Sequence, residues 1–174
     1  MINYANRGQG LEDEIELTNQ EYLRHGLALV QKVPTPIKQI SPIKRGKFTA
    51  VYEKKSTVDY IGIYNGISLA FDAKETQVET RFDLSNVKEH QYLHLTSWHC
   101  NKGLGFLVVR FATLGETYYL PYEVLDEYWQ GMLTGGRKSI PYDVIAKPEY
   151  EIKQGKGMAL VDYLSVIKEG RSRE

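Results

Sequence analysis

The dipeptide Asn65-Gly66 constrains this chain more than any other feature. It stands between two apolar segments, Tyr60 to Tyr64 and Ile67 to Ala73. Asn-Gly is the pair that a two-residue hairpin turn prefers, because both turn positions need positive φ. The two segments are therefore expected to be antiparallel neighbours. Side chains alternate along a strand, so Asp72 and Lys74 project from one side and Leu69, Phe71 and Ala73 from the other. The second strand thus gains a packed side and a chemical side. The hairpin also carries Asp59 back beside Asp72. Two carboxylates then face one point, where a divalent cation can sit and polarise a phosphate. Lys74 can lower the pKa of an attacking water or stabilise charge building on phosphorus. Asp59, Asp72 and Lys74 at this spacing can build a magnesium-dependent phosphodiesterase site. Spacing alone leaves open a plain Asp72–Lys74 salt bridge.

The remaining segments supply the elements around this hairpin. Leu11, Ile15, Thr18 and Tyr22 recur at helical spacing, which predicts a helix over roughly 10–25, ended near Gly26. Leu27 to Val33 reads as a short strand. Pro34, Pro36 and Pro42 then break regular structure, and Lys47 to Tyr52 alternates weakly, so 34–52 is expected to be a basic arm outside the core. Asn86 with Glu89 predicts a capping box opening a helix whose buried stripe holds Val87, Leu95 and Trp98. Gln91 falls on that stripe and needs a partner there, a backbone group or a metal-bound water, unless it lies at the stripe's exposed edge. Leu104 to Ala112 and Thr117 to Tyr122 read as strands, the first apolar enough to be central. A helix over 122–133, a flexible basic loop at Gly135-Gly136-Arg137-Lys138-Ser139 and a last helix over Ala159 to Lys168 complete the order. Helix, strands, helix, strands, helix implies an α/β or α+β chain with a mixed central sheet.

A length of 174 residues and 42% apolar content suit one domain over 1–174. Zero net charge argues against a uniformly basic nucleic-acid binder, but the charge is uneven. Residues 1–31 carry −3, whereas 32–55 carry +6 through Lys32, Lys38, Lys44, Arg45, Lys47, Lys54 and Lys55 against Glu53. That segment is either a local anion-binding surface or a solvated loop. No apolar run reaches membrane-spanning length, and the first residues do not resemble a signal peptide. The single cysteine, Cys100, forms no intrachain disulfide and fits a reducing compartment.

Other groupings carry less. His90 and His94, with His99 and Cys100 downstream, lack a second well-spaced pair and read better as polar-face residues than as a zinc site. Cys100 lacks the partners of a nucleophilic triad. Gly103-Leu104-Gly105 is too short for a dinucleotide fingerprint. Tyr118, Tyr119, Tyr122, Tyr128 and Trp129 can stack on bases, but filling cores and dimer interfaces is the commoner use of such residues.

Longer stretches add a resemblance. Asn6-Arg7-Gly8, Leu11-Glu12, Pro34-Thr35-Pro36-Ile37, Ser56-Thr57-Val58-Asp59-Tyr60, Phe71-Asp72-Ala73-Lys74-Glu75-Thr76, His90-Gln91, Gly136-Arg137-Lys138-Ser139-Ile140 and Val161-Asp162-Tyr163 occur in this order. Together they resemble the RecU family of Holliday junction resolvases, within the PD-(D/E)xK nucleases. The resemblance implies a restriction-endonuclease-like fold: a mixed central β-sheet flanked by helices, with 34–52 as a projecting basic stalk. It places Thr57, Asp59, Asp72 and Gln91 as magnesium ligands, with manganese able to substitute, and Lys74 as the stabiliser of the transition state. Glu12 sits where related nucleases carry a first-helix carboxylate near the metal. Lys38, Lys44, Arg45, Lys47, Arg137 and Lys138 are the implied DNA contacts. The implied protein is a homodimer of the bacterial cytoplasm that cuts four-way junctions by paired nicks, and some relatives also modulate a RecA-type recombinase. Asp72 departs from the family's usual glutamate and is one methylene shorter. The start close to Asn6-Arg7-Gly8 leads to the expectation of a phage-encoded version. Another nuclease of the same fold and a non-catalytic module binding branched DNA or a recombinase are the rival readings.

Overall fold

The computed structural model describes residues 9–34, 37–42, 49–52 and 57–171. Its centre is a five-stranded mixed sheet formed by β1 (Ala28–Lys32), β4 (Tyr60–Tyr64), β5 (Ile67–Thr76), β7 (Leu104–Phe111) and β8 (Glu116–Pro121), in the order β1-β4-β5-β7-β8. Only β5 and β7 run parallel; the other neighbours are antiparallel. The β4–β5 connection is the expected Asn-Gly turn. Asn65 has φ 48° and Gly66 φ 78°, the two left-handed positions whose twist matches a hairpin.

Helices cover the sheet on both faces, giving an α/β architecture consistent with a restriction-endonuclease-like fold. On one face α1 (Gln9–Arg24) contributes Leu11, Ile15 and Tyr22, and α5 (Tyr163–Arg171), which follows the one-turn α4 (Tyr142–Ile145) in the chain, contributes Tyr163, Leu164 and Ile167. They pack on Ala28, Val30, Leu69, Phe71, Phe106 and Val108. On the other face α2 (Glu89–Cys100) and α3 (Tyr122–Leu133) bring Tyr92, Leu95, Leu125 and Trp129 onto Ala70, Leu107, Val109 and Leu120. The late tyrosines mostly fill this second core, with Tyr118, Tyr122 and Trp129 buried.

Several expectations need correction. β5 does not divide into a packed side and a chemical side along its whole length. Leu69, Ala70, Phe71 and Asp72 are all buried, because β5 is central and helices lie on both faces. Asn86 does not cap α2. It ends a 3-10 turn (Leu84–Asn86), Val87 follows as extended buried chain, and Lys88 is the cap. The 135–139 stretch is not wholly loop. Ser139 opens a short strand β9 (Ser139–Pro141) that pairs with β6 (Arg81–Asp83) and buries Ser139. The last helix begins at Tyr163, since 153–162 forms hydrogen-bonded turns instead. The arm contains two described strands, β2 (Ile37–Gln39) and β3 (Ala50–Tyr52), paired antiparallel apart from the central sheet. Lys44, Arg45 and Lys47 lie outside the described residues. Among the described residues, no helix is long and apolar enough to cross a membrane.

Candidate active site

The site follows from the β4–β5 register. Tyr60 pairs with Phe71, so Asp59 and Asp72 meet where the ladder would next continue. Their carboxylates replace ladder bonds there. The Asp59 N–H donates to Asp72 Oδ1 at 2.7 Å, and the Ala73 N–H donates to Asp59 Oδ2 at 3.3 Å. The Asp59 carbonyl in turn accepts the Val33 N–H at 2.8 Å, at the root of the arm.

Asp72 is fully buried, and its Oδ2 has no hydrogen-bond donor. The nearest compensation is the Lys74 ammonium, 3.7 Å from Oδ2. Burial pushes the Asp72 carboxyl up to about 7; Lys74 opposes that rise, and the negative charge of Asp59 adds to it. Lys74 Nζ donates to Gln91 Oε1 at 3.2 Å, and the Lys88 backbone N–H donates to the same oxygen at 3.0 Å. Gln91 is buried on α2 rather than at the stripe's exposed edge, and its partners are a backbone group and a lysine.

The other expected residues are less centralised. Thr57 is exposed, two residues before Asp59. The Glu12 carboxylate is held by Lys32 at 2.8 Å, which also binds Glu16 at 2.7 Å. Among the described residues, no three of His, Cys, Asp and Glu converge as a metal-holding group, so Glu12 does not join the aspartate pair there. Lys38 is exposed on β2, in the separate two-stranded sheet. Arg137 and Lys138 are exposed before β9, and the Lys138 carbonyl accepts the Leu84 N–H at 3.1 Å, tying this basic pair to the segment that leads into α2. His94 is half-buried, packs on Trp98 and is held below the usual histidine range by burial.

One contributor is not visible in the side-chain pattern of the sequence. Lys88 acts through its backbone N–H, which no such pattern reveals. Gln91 is the third residue of α2, the glutamine of a capping arrangement. The helical stripe already singles out Gln91; its capping role becomes legible only once the helix start is known.

The donor set suits a hard divalent cation. It offers carboxylate oxygens, one of them buried without a hydrogen-bond donor, and no soft ligand. Asp59 and Asp72 are the residues that can hold such an ion.

The chain matches the family model described as Recombination protein U over residues 6–169. It is 44% identical over 156 residues to the Holliday junction resolvase RecU of Staphylococcus carnosus, covering 87% of this chain and 75% of that protein. The protein of the same name from Streptococcus uberis is 39% identical over 173 residues, covering 97% and 84%. That from a Geobacillus species is 38% identical over 172 residues, covering 95% and 85%. With nearly its whole length matched, the chain belongs to the Recombination protein U family.

Proposed function

We propose that this protein is a Holliday junction resolvase, a magnesium-dependent endonuclease that cuts four-way DNA junctions by paired nicks. The observation that carries the reading is Asp72. It is a fully buried carboxylate, locked to Asp59, faced by Lys74 and left with one donorless oxygen. Such an arrangement costs stability unless a cation completes it. The curated relatives carry the name of that activity over most of their length.

Asp59 and Asp72 would hold Mg2+, with Thr57 near enough in sequence to assist and Mn2+ able to substitute. When bound, the ion supplies Lewis acidity toward the phosphate and makes a bound water easier to deprotonate than bulk water. The protein's own part is positioning and charge. Asp72 must be ionised to serve, and its raised pKa ties its readiness to pH. Lys74 places an ammonium where negative charge builds on phosphorus. Aspartate in place of the family's usual glutamate keeps the oxygen chemistry with a shorter reach.

The chain would work as one nuclease domain whose 34–52 arm engages the junction. Lys38, Lys44, Arg45, Lys47, Arg137 and Lys138 would contact phosphates, which position rather than specify. A two-fold junction calls for two identical sites, hence a C2 homodimer. Leu29 and Ile63 support this: they face each other across β1–β4, both about half exposed, on the sheet face opposite the buried Ala28 and Val30.

The test is cleavage of a labelled mobile four-way junction beside linear duplex, with and without magnesium. Symmetric, magnesium-dependent nicks on the junction alone, lost in Asp72→Asn while junction binding persists, are expected. Equal cutting of plain duplex would refute the junction specificity, and junction binding without cleavage in either metal would refute the nuclease.

A further inference from the structure

A cleft of about 710 Å3 lies between the end of α1 and the turns of 153–162, a size that suits a small ligand. Its apolar lining comes from the buried Tyr22 and Ala159 and from Leu27, which is half exposed at the rim. β1 starts beside it at Ala28 and runs to Lys32, whose partner Tyr60 adjoins Asp59. The cleft and the aspartate pair therefore stand at opposite ends of that strand. Val161-Asp162-Tyr163, a motif with no part in the candidate active site, borders the cleft. Val161 and Tyr163 spend their polar groups on α1: the Val161 N–H donates to Thr18 Oγ1 at 3.0 Å, and the Tyr163 hydroxyl donates to Asn19. Asp162, half-buried, is different. Its Oδ1 accepts the Tyr22 hydroxyl at 2.7 Å, and the Tyr22 oxygen accepts the Leu164 N–H at 3.3 Å, which holds the carboxylate still. Among the described residues, its Oδ2 accepts no hydrogen bond and Asp162 forms no ion pair. Gly155 lets that oxygen lie against the backbone, since a Cβ there would stand 2.5 Å from it. The cleft's other carboxylate, Glu21, is already held by Arg24 at 2.7 Å and His25 at 3.2 Å.

A fixed, half-buried carboxylate with one oxygen free and an apolar surface beside it calls for a cation with an apolar body. Among the described residues, no three of His, Cys, Asp and Glu converge there, so the cleft suits an organic cation rather than a metal ion. We propose that this cleft binds a primary ammonium carried on an aliphatic chain, the ammonium on Asp162 Oδ2 and the methylenes over Tyr22, Ala159 and Leu27. Free alkylamines and lysine side chains share that chemistry.

The test is titration calorimetry on the DNA-free full chain at neutral pH, with n-hexylammonium chloride, Nα-acetyl-lysine methylamide and uncharged n-hexanol as probes. At least one ammonium probe should bind with a Kd on the order of 1 mM or tighter, and hexanol should bind roughly tenfold more weakly or not at all. Tighter binding of the lysine derivative assigns the cleft to a peptide's lysine, and tighter binding of hexylammonium assigns it to a free amine; either sustains the proposal. Asp162→Asn keeps the oxygen that Tyr22 needs and removes the charge. It should weaken the ammonium probes about tenfold, while junction cleavage stays within about twofold of wild type because the cleft is remote from Asp59 and Asp72. Glu21→Gln should change ammonium binding by less than about threefold, since that carboxylate is already paired. Should Asp162→Asn fail to fold, Leu27→Lys sets a rival cation at the exposed rim and should weaken the same probes by about tenfold. No ammonium binding at about 10 mM, hexanol binding as tightly as the ammonium probes, or a folded Asp162→Asn that binds them like wild type would overturn the assignment.

Discussion

Asp72→Asn should make the metal-free protein more stable, and more so at higher pH. The Asp72 carboxyl is raised from 3.8 to about 7 in the fold, chiefly by burial. A carboxyl raised on folding is favourable only while protonated. Its contribution is therefore fully present below about pH 4 and is lost as pH rises through about 7. Each pKa unit is worth about 1.4 kcal/mol, so this side chain costs the fold about 4 kcal/mol at pH 8, where it is ionised, and about 2 kcal/mol at pH 5, where the fold must hold a proton that the unfolded chain releases. Asparagine retains an oxygen for the Asp59 N–H but can turn an amide donor toward Lys74, which takes back about 1 kcal/mol. The expected gain is then about 3 kcal/mol at pH 8 and about 1 kcal/mol at pH 5. Urea unfolding in EDTA at the two pH values measures both. Saturating Mg2+ at pH 8 should stabilise the wild type and leave Asp72→Asn unmoved, since only the wild type keeps the ligand. A variant no more stable than wild type at pH 8, or a gain identical at both pH values, would refute the burial argument.

Three further outcomes follow from other parts of the molecule. Gly62→Ala should destabilise the fold by about 2 kcal/mol or more in urea unfolding, because a Cβ there would stand 2.5 Å from the Leu29 carbonyl oxygen and 2.7 Å from Val30 Cγ2. Replacing Lys38, Arg137 and Lys138 by alanine should weaken junction binding and flatten the slope of log affinity against log salt by about 0.9 for each phosphate no longer neutralised; an unchanged slope would remove them from the DNA surface. Leu29→Glu with Ile63→Glu should shift the protein to monomer in sedimentation and unpair the two nicks. An intact dimer would place the interface elsewhere.

What the sequence determined by itself is what is encoded within a few residues. The Asn65-Gly66 turn needs positive φ at two adjacent positions, and few other pairs offer it. The bounds of β4 and α3 and the Leu11, Ile15, Thr18, Tyr22 stripe follow from periodicity in the same way. The nearness of Asp59 to Asp72 was legible because one hairpin sets it. The tertiary structure decided what depends on distant neighbours. Asp72 is buried and its pKa raised because β5 pairs with β7 and helices close both faces of the sheet. Glu12 is held by Lys32 because α1 lies along β1. Gln91 meets Lys74 because α2 starts at Glu89, where Lys88 can anchor the amide from its backbone. Local dihedral preference fixes a turn or a period, but desolvation and side-chain partnership are set by packing between segments far apart in the chain.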